Sequence, residues 1–84
     1  MRESEYQSKI IKKYKKEGWF VLRLITTNVS GTPDLVMFKE GHKPLFIEVK
    51  AKKGVVSKLQ EYFINNIQKY GCSAKIMRHG TDKL

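Results

Sequence analysis

The spacing of apolar residues at the start of the chain predicts an amphipathic helix from about Arg2 to Glu17. Tyr6, Ile10 and Tyr14 recur every four residues, so they share one face of such a helix, which must pack against the rest of the fold. Gly18 follows this pattern directly. It is predicted to end the helix, because glycine readily adopts the left-handed conformation of a C-terminal cap.

Three apolar runs follow the first helix, and each has the length and composition of a β-strand. The runs are Trp19–Ile25, Leu35–Phe38 and Leu45–Ile47. Uninterrupted apolar runs of this kind favour a sheet that is covered on both faces. Residues 40–43 separate the second run from the third and predict a hairpin turn, which would pair these two strands side by side.

A second helical pattern begins at Ser57 and ends before Gly71. Its apolar stripe consists of Leu59, Phe63, Ile67 and Tyr70, widened by Ile64. Residues 73–77 then predict a short last strand. The resulting order, α-β-β-β-α-β, predicts an α/β fold in a single domain over residues 1–84, with a right-handed crossover through the second helix if the last two strands are parallel.

The size and charge of the chain limit its partners. Its 84 residues allow one small domain, and the 40% of hydrophobic residues favour a folded state over disorder. A net charge of +9 predicts attraction to a polyanion. We expect nucleic acid as that partner, with a membrane surface as the alternative. A core this small would also gain stability from a second subunit.

Targeting and redox features favour the cytoplasm. No apolar stretch approaches the roughly 20 residues that span a bilayer. The N-terminus is charged and lacks the apolar segment of a signal peptide, so we expect a cytoplasmic protein. Cys72 is the single cysteine, which excludes an internal disulfide and fits a reducing compartment.

Charged residues at the ends of the two central predicted strands are the strongest indication of chemistry. Asp34 precedes one strand, Glu48 and Lys50 end the next, and thirteen residues separate Asp34 from Glu48. Strand side chains alternate, so Glu48 and Lys50 share a face, and hairpin pairing brings Asp34 beside them. This arrangement predicts a divalent-metal site with a cation that faces phosphate. The alternative is a buried structural ion pair between Lys50 and one of the carboxylates.

These motifs resemble those of the PD-(D/E)XK nuclease superfamily and, within it, the virus-type replication-repair nuclease (VRR-NUC) domain. The matching pieces, in order, are Met1-Arg2-Glu3, Gly31-Thr32-Pro33-Asp34-Leu35, Phe46-Ile47-Glu48-Val49-Lys50, Gly54 and Ser57-Lys58-Leu59-Gln60. Short charged motifs arise by chance, but this ordered set covers most of the chain and includes Gln60. The resemblance implies a small restriction-endonuclease-like core, in which a mixed central sheet is flanked by helices.

The resemblance also implies site residues and a cofactor. Asp34 and Glu48 would be metal ligands, and the backbone carbonyl of Val49 would be a further ligand. The expected ion is Mg²⁺, with Mn²⁺ as a substitute. Lys50 would orient the attacking water or stabilise the phosphate in the transition state.

Glu3 is predicted to add a carboxylate from the first helix. Helical phase places it on the face of Tyr6 and Ile10, whereas Glu5 falls on the solvent side. A carboxylate near a helix N-terminus also interacts favourably with the helix dipole, so capping is the alternative role. The resemblance favours a role near the metal, direct or through water. Glu5 is the alternative if the first residues are not helical.

Gln60 has two predicted roles. Ser57 and Gln60 match a capping box, in which both side chains bond the exposed amides at a helix start. Gln60 also shares a helix face with Phe63, Ile64 and Ile67, so it points toward the sheet. The resemblance implies a contact with substrate or bound water. Both roles are possible if capping uses only part of the amide.

Four basic residues and one serine near the predicted site are the expected DNA contacts. This group consists of Lys52, Lys53, Ser57, Lys58 and Arg23. The first two follow the Glu48–Lys50 strand, whose end the scissile phosphate must approach. The lysines at positions 9, 12, 15 and 16 lie opposite the apolar stripe of the first helix, and a solvated surface explains them.

Stand-alone chains of this family resemble phage or bacterial resolvases, which implies a homodimeric, Mg²⁺-dependent endonuclease acting on branched DNA such as four-way (Holliday) junctions. Two sites related by a two-fold axis would suit paired nicks across a junction. The alternatives are a DNA-binding module without catalysis and a nuclease that acts on flaps or RNA.

Overall fold

In the computed structural model, which describes residues 2–82 and 84, the predicted order of elements is confirmed. The chain forms helix α1 (Glu3–Lys16), strands β1 (Phe20–Arg23), β2 (Leu35–Phe38) and β3 (Leu45–Lys50), helix α2 (Lys58–Gln68) and strand β4 (Ser73–Arg78). Met1, part of the first matching motif, lies outside the described residues. No helix within the described ranges is long and apolar enough to cross a membrane.

Helix α1 buries the face that its sequence predicts. Tyr6, Ile10 and Tyr14 are 2%, 0% and 7% exposed. Gly18, at φ +95°, follows the helix end and its N–H donates to the carbonyl of Lys15 at 3.1 Å. A residue with a Cβ is strained in this conformation, so the glycine allows the chain to turn sharply into β1.

The four described strands form one mixed sheet in the order β1-β2-β3-β4. β1 pairs antiparallel with β2, and β2 pairs antiparallel with β3 through the predicted hairpin. β3 pairs parallel with β4, and α2 forms the connection between these two strands. The mixed sheet flanked by helices is therefore confirmed.

One face of the sheet packs on α1 and forms the core. Its central residues are Leu35, Met37, Ile47, Val49 and Met77, which are at most 5% exposed. Burying an aliphatic side chain of this size contributes about 1.5–3 kcal/mol, so this face dominates the stability of the domain.

The other face is covered only in part. Helix α2 packs over β3 and β4, where the rings of Phe46 and Phe63 lie 5.9 Å apart and Ile64 is buried. Over β1 this face is open, and Phe20 and Leu22 are 65% and 40% exposed. The expectation of a sheet covered on both faces is therefore wrong at this end, because α2 returns to β4 on the opposite edge.

Two further sequence predictions need correction. Strand β1 spans Phe20–Arg23 rather than Trp19–Ile25, although the N–H of Leu24 still donates to the carbonyl of Asp34 at 2.7 Å. Leu59 and Tyr70, the two ends of the predicted stripe, are 57% and 74% exposed. Tyr70 lies beyond Gln68, the last residue of α2, and the buried part of the stripe is its middle, at Ile64.

Candidate active site

The register of β2 and β3 brings the two predicted carboxylates together. Leu35 lies opposite Ile47 in this antiparallel pair, so Asp34, one residue earlier, comes opposite Glu48, one residue later. The Asp34 Oδ2 atom accepts a hydrogen bond of 2.8 Å from the N–H of Val49. Both carboxylates lie on the face that packs under α2.

Glu48 is a buried carboxylate that is incompletely satisfied. The residue is 3% exposed, and its Oε1 atom has no hydrogen-bond partner among the described residues. Burial raises the pKa of Glu48 from 4.5 to about 7; the neighbouring Asp34 carboxylate also raises it, and Lys50 lowers it. An orphaned carboxylate oxygen beside a second carboxylate is an electrostatically unfavourable arrangement, which a bound cation would relieve.

Lys50 lies close to Glu48 without forming a tight pair. Its Nζ atom is 3.6 Å from Glu48 Oε2, and both side chains are largely buried. This distance exceeds the length of a hydrogen bond, and charge-assisted bonds are shorter still, about 2.7–2.9 Å. A purely structural ion pair would satisfy its charges. The long distance and the unpartnered Oε1 therefore favour a site that is completed by another group.

Gln60 forms the predicted capping box and also contacts the buried carboxylate, which the sequence did not predict. Its side-chain Oε1 accepts from the backbone N–H of Ser57 at 2.9 Å, and its backbone N–H donates to Ser57 Oγ at 3.1 Å, which forms the capping box. Its Nε2 donates to Glu48 Oε2 at 3.2 Å. The helix start and the buried carboxylate are thus tied together, because capping uses the amide oxygen and leaves the amide nitrogen free.

Glu3 lies at the edge of this cluster. Its Oε1 accepts from the N–H of Ala51 at 3.3 Å, so α1 is tied to the residue after Lys50. The side chain is exposed, and this hydrogen bond leads to the backbone at the end of β3 rather than to the two carboxylates. Glu5 instead pairs with Arg2 at 3.1 Å on the surface.

The site is adjoined by four of the five predicted DNA contacts; the fifth, Arg23, pairs with Leu35 and so lies on the α1 face of the sheet. Lys52 and Lys53 are exposed on the loop that leaves β3, and Lys58 is exposed in the first turn of α2. Arg23 is exposed at the end of β1, opposite Leu35 in the register. The Ser57 hydroxyl oxygen is engaged in the helix cap.

Two residues, Arg78 and Gly31, support the site through contacts that the sequence did not predict. The Nη1 of Arg78 donates to backbone carbonyls of the loop after Lys50, including that of Ala51 at 3.2 Å. A Cβ placed on Gly31, at φ +84°, would lie 2.5 Å from the carbonyl oxygen of Leu59, so this glycine allows the Asp34 loop to touch α2. Gly31 belongs to the Gly-x-Pro-Asp motif. Arg78 had no comparable signal, because its position depends on the β3–β4 register.

The cluster around Glu48 offers few carboxylates to a bound cation. Within the part of the chain that the structure describes, no group of three or more Asp, Glu, His and Cys side chains converges. Asp34 and Glu48 would therefore share the ion with non-protein ligands or backbone oxygens. The N–H of Val49 points toward β2. Its carbonyl points the same way, as in any extended strand, which keeps it available as the predicted further ligand.

Comparison with protein families agrees with this geometry. The model of the VRR-NUC domain matches residues 1–79. The chain belongs to the VRR-NUC family. This membership confirms the resemblance of the motifs and makes the protein a nuclease of the PD-(D/E)XK type, with DNA as the implied partner. A search of curated proteins found no significant match. The VRR-NUC match spans the whole cluster from Glu3 to Arg78.

Proposed function

We propose that this VRR-NUC protein is a metal-dependent, structure-selective DNA endonuclease that hydrolyses phosphodiester bonds in branched DNA, such as four-way junctions. One observation carries the metal-dependent part of the proposal. It is the buried Glu48 carboxylate beside Asp34 and Lys50, whose Oε1 atom has no hydrogen-bond partner within residues 2–82 and 84.

The residues present fit a divalent cation. Asp34 and Glu48 would hold it, with the Val49 carbonyl as a further ligand, and water and phosphate oxygens would complete the coordination. Mg²⁺ suits such a site because it is commonly bound by one or two carboxylates together with substrate phosphates. Mn²⁺ would substitute for it. When bound, the ion supplies a Lewis acid that polarises a phosphate oxygen and lowers the pKa of coordinated water.

The groups around the metal site have separate roles in the proposed reaction. The Val49 N–H fixes the orientation of Asp34, and the Gln60 amide fixes that of Glu48. Lys50 presents an ammonium group where negative charge accumulates on the phosphate during attack, which stabilises the transition state. Lys52 and Lys53, on the adjoining loop, would hold the DNA backbone on either side of the scissile bond.

A homodimer would place two such sites on one branched substrate. The open face of β1 supports this proposal, because Phe20, Leu22 and Phe38 expose apolar surface on one side of the sheet. The Phe20→Lys variant is expected to have the mass of a monomer when measured by light scattering. If the variant keeps a dimeric mass, the subunit contact lies elsewhere. If the native protein already has a monomeric mass, the homodimer is excluded.

A cleavage assay tests the proposed reaction. Labelled duplex, flap, splayed and four-way DNA, with an RNA counterpart of the duplex, are incubated with Mg²⁺, Mn²⁺ or EDTA. We expect metal-dependent cleavage, fastest on the four-way substrate, and loss of cleavage in Lys50→Ala. Binding without cleavage under every condition would contradict the enzymatic proposal. Faster cutting of flaps or RNA would contradict the proposed substrate.

The Asp34→Asn variant separates a nuclease from a module that only binds DNA. A nuclease loses turnover and keeps much of its DNA affinity, because only the metal site is damaged. In a binding module, this change would alter neither affinity nor any other measured property.

A further inference from the structure

We propose that Arg78 is a positioning residue of this site, which holds the loop of residues 51–54 and thereby presents Lys52 and Lys53 to the DNA backbone. This role deepens the proposed nuclease function and rests on it. The loop leaves β3 directly after Lys50, so its conformation controls both the end of the metal-site strand and the adjoining lysines.

The guanidinium group of Arg78 binds several carbonyls of this loop at once. Its Nη1 atom donates to the carbonyl of Ala51 at 3.2 Å, to that of Lys52 at 3.5 Å and to that of Gly54. Arg78 is half-buried and lies opposite Lys50 in the parallel β3–β4 pair. The side chain therefore reaches from the neighbouring strand across the start of the loop.

The backbone around Arg78 is itself held firmly. The N–H of Arg78 donates to Asp82 Oδ2 at 2.8 Å, and the N–H of His79 donates to the carbonyl of Lys50 at 3.0 Å. Within the loop, the N–H of Gly54 donates to the carbonyl of Ala51 at 3.0 Å. Arg78 thus reaches from a firmly held strand end to a turn that the Gly54–Ala51 hydrogen bond and the Glu3 contact to the Ala51 N–H also hold.

The loop and the Lys50 side chain are in direct contact. A Cβ placed on Gly54 would lie 3.3 Å from Lys50 Cδ. The turn at Gly54 therefore packs against the stem of Lys50. A displaced loop would leave this stem unsupported, so Arg78 influences the position of the ammonium group that faces the phosphate.

Arginine suits this role better than lysine. Its planar group has several N–H donors in a fixed arrangement, whereas the lysine ammonium is a single point charge on a flexible stem. The carbonyl dipoles also offset the Arg78 charge, so the two exposed loop lysines can remain close to it. A loop ordered before binding loses less conformational entropy when DNA arrives.

A proteolysis experiment tests the positioning role without DNA. Trypsin cleavage after Lys52 and Lys53 is measured in the native protein, in Arg78→Lys and in the control Arg2→Lys, whose arginine lies on the surface. We expect loop cleavage in Arg78→Lys to rise about tenfold or more, as the loss of a charge-assisted hydrogen bond would produce. The control should match the native protein. Equal cleavage of the loop in all three proteins would overturn the proposal.

A double-mutant cycle then tests the link to DNA. Duplex binding in EDTA is measured for Arg78→Lys, for Lys52→Ala with Lys53→Ala, and for the combination. If Arg78 acts through the two lysines, the combined loss of affinity is smaller than the sum of the separate losses. Additive losses would mean that Arg78 contacts phosphate directly, which contradicts the positioning role.

The proteolysis and DNA-binding experiments distinguish failure of the positioning role from failure of the proposed function. Absence of DNA binding or cleavage by the native protein would refute the proposed function, whereas the trypsin result would still decide whether Arg78 orders the loop. If Arg78→Lys does not fold, Arg78→Gln replaces it, and hydrogen exchange of the Gly54 amide in the native protein supplies a second readout. An unprotected Gly54 amide would overturn the proposal.

Discussion

The two faces of the sheet use the same strands for different purposes. On the α1 face, Leu35, Ile47 and Val49 are completely buried among apolar neighbours. On the α2 face, the alternating positions hold Asp34, directly before β2, and Glu48, whose buried Oε1 has no hydrogen-bond partner in the part of the chain that the structure describes. Successive side chains of a strand point to opposite faces of the sheet. The same strands can therefore build an apolar face that stabilises the fold and a charged face whose charges are only partly compensated.

The largest expected effect on stability belongs to the α1 face. Leu35→Ala should lower the free energy of unfolding by about 2–5 kcal/mol, because it leaves a cavity at a fully buried site. Urea unfolding would measure this change. Leu59→Ala, at an exposed position of α2, is the matched control and should cost far less. Equal losses would contradict the contrast between the two faces.

The largest expected effect on activity belongs to the α2 face. Lys50→Ala should reduce the cleavage rate about 10²–10³-fold, since it removes a positive group from the transition state. Lys75→Ala is the control, because Lys75 lies on the neighbouring strand and on the opposite face. Single-turnover cleavage of four-way DNA would compare the two. A comparable loss in Lys75→Ala would indicate a general effect of charge.

The charged face should make the stability of the metal-free protein depend on pH. The Glu48 pKa is about 7 in the folded protein and 4.5 as its ordinary value, so the folded state binds more protons between these limits. The contribution of Glu48 to the free energy of unfolding is therefore greatest below pH 4.5. It falls by about 3 kcal/mol as the pH rises through 7.

Urea unfolding in EDTA at pH 5 and pH 8 would measure this dependence. Glu48→Gln should remove it, whereas Glu61→Gln, at an exposed position, should not. Divalent cations should restore stability at the higher pH, because they bind the ionised carboxylates. Retention of the native pH dependence in Glu48→Gln would show that another group causes it.

Gln60 should show the smallest effect on folding and a clear effect on cleavage. Gln60→Glu keeps an oxygen for the Ser57 N–H but replaces the donor to Glu48 with a third carboxylate, beside those of Asp34 and Glu48. We expect cleavage to fall about tenfold or more, as loss of a charge-assisted hydrogen bond predicts. The melting temperature should change little. Loss of folding together with activity would assign Gln60 a mainly structural role.

Much of the site could be predicted because its residues lie close in sequence or on regular elements. The hairpin between β2 and β3 made the approach of Asp34 to Glu48 predictable, since strand alternation and a short turn determine which residues face each other. The capping box likewise predicted the start of α2 and the position of Gln60. The open face over β1 was not predictable from local pattern, because its exposure depends on where α2 packs.

The sequence by itself determined the order of elements, the mixed α/β class and the charged motif, because these follow from local periodicity and short-range turns. Only the tertiary structure decided that one Gln60 amide joins the helix cap to Glu48, that Gly31 touches α2 and that Arg78 holds the loop after Lys50. These contacts join residues from different elements. Their geometry depends on the register and packing of the whole sheet, which local patterns do not encode.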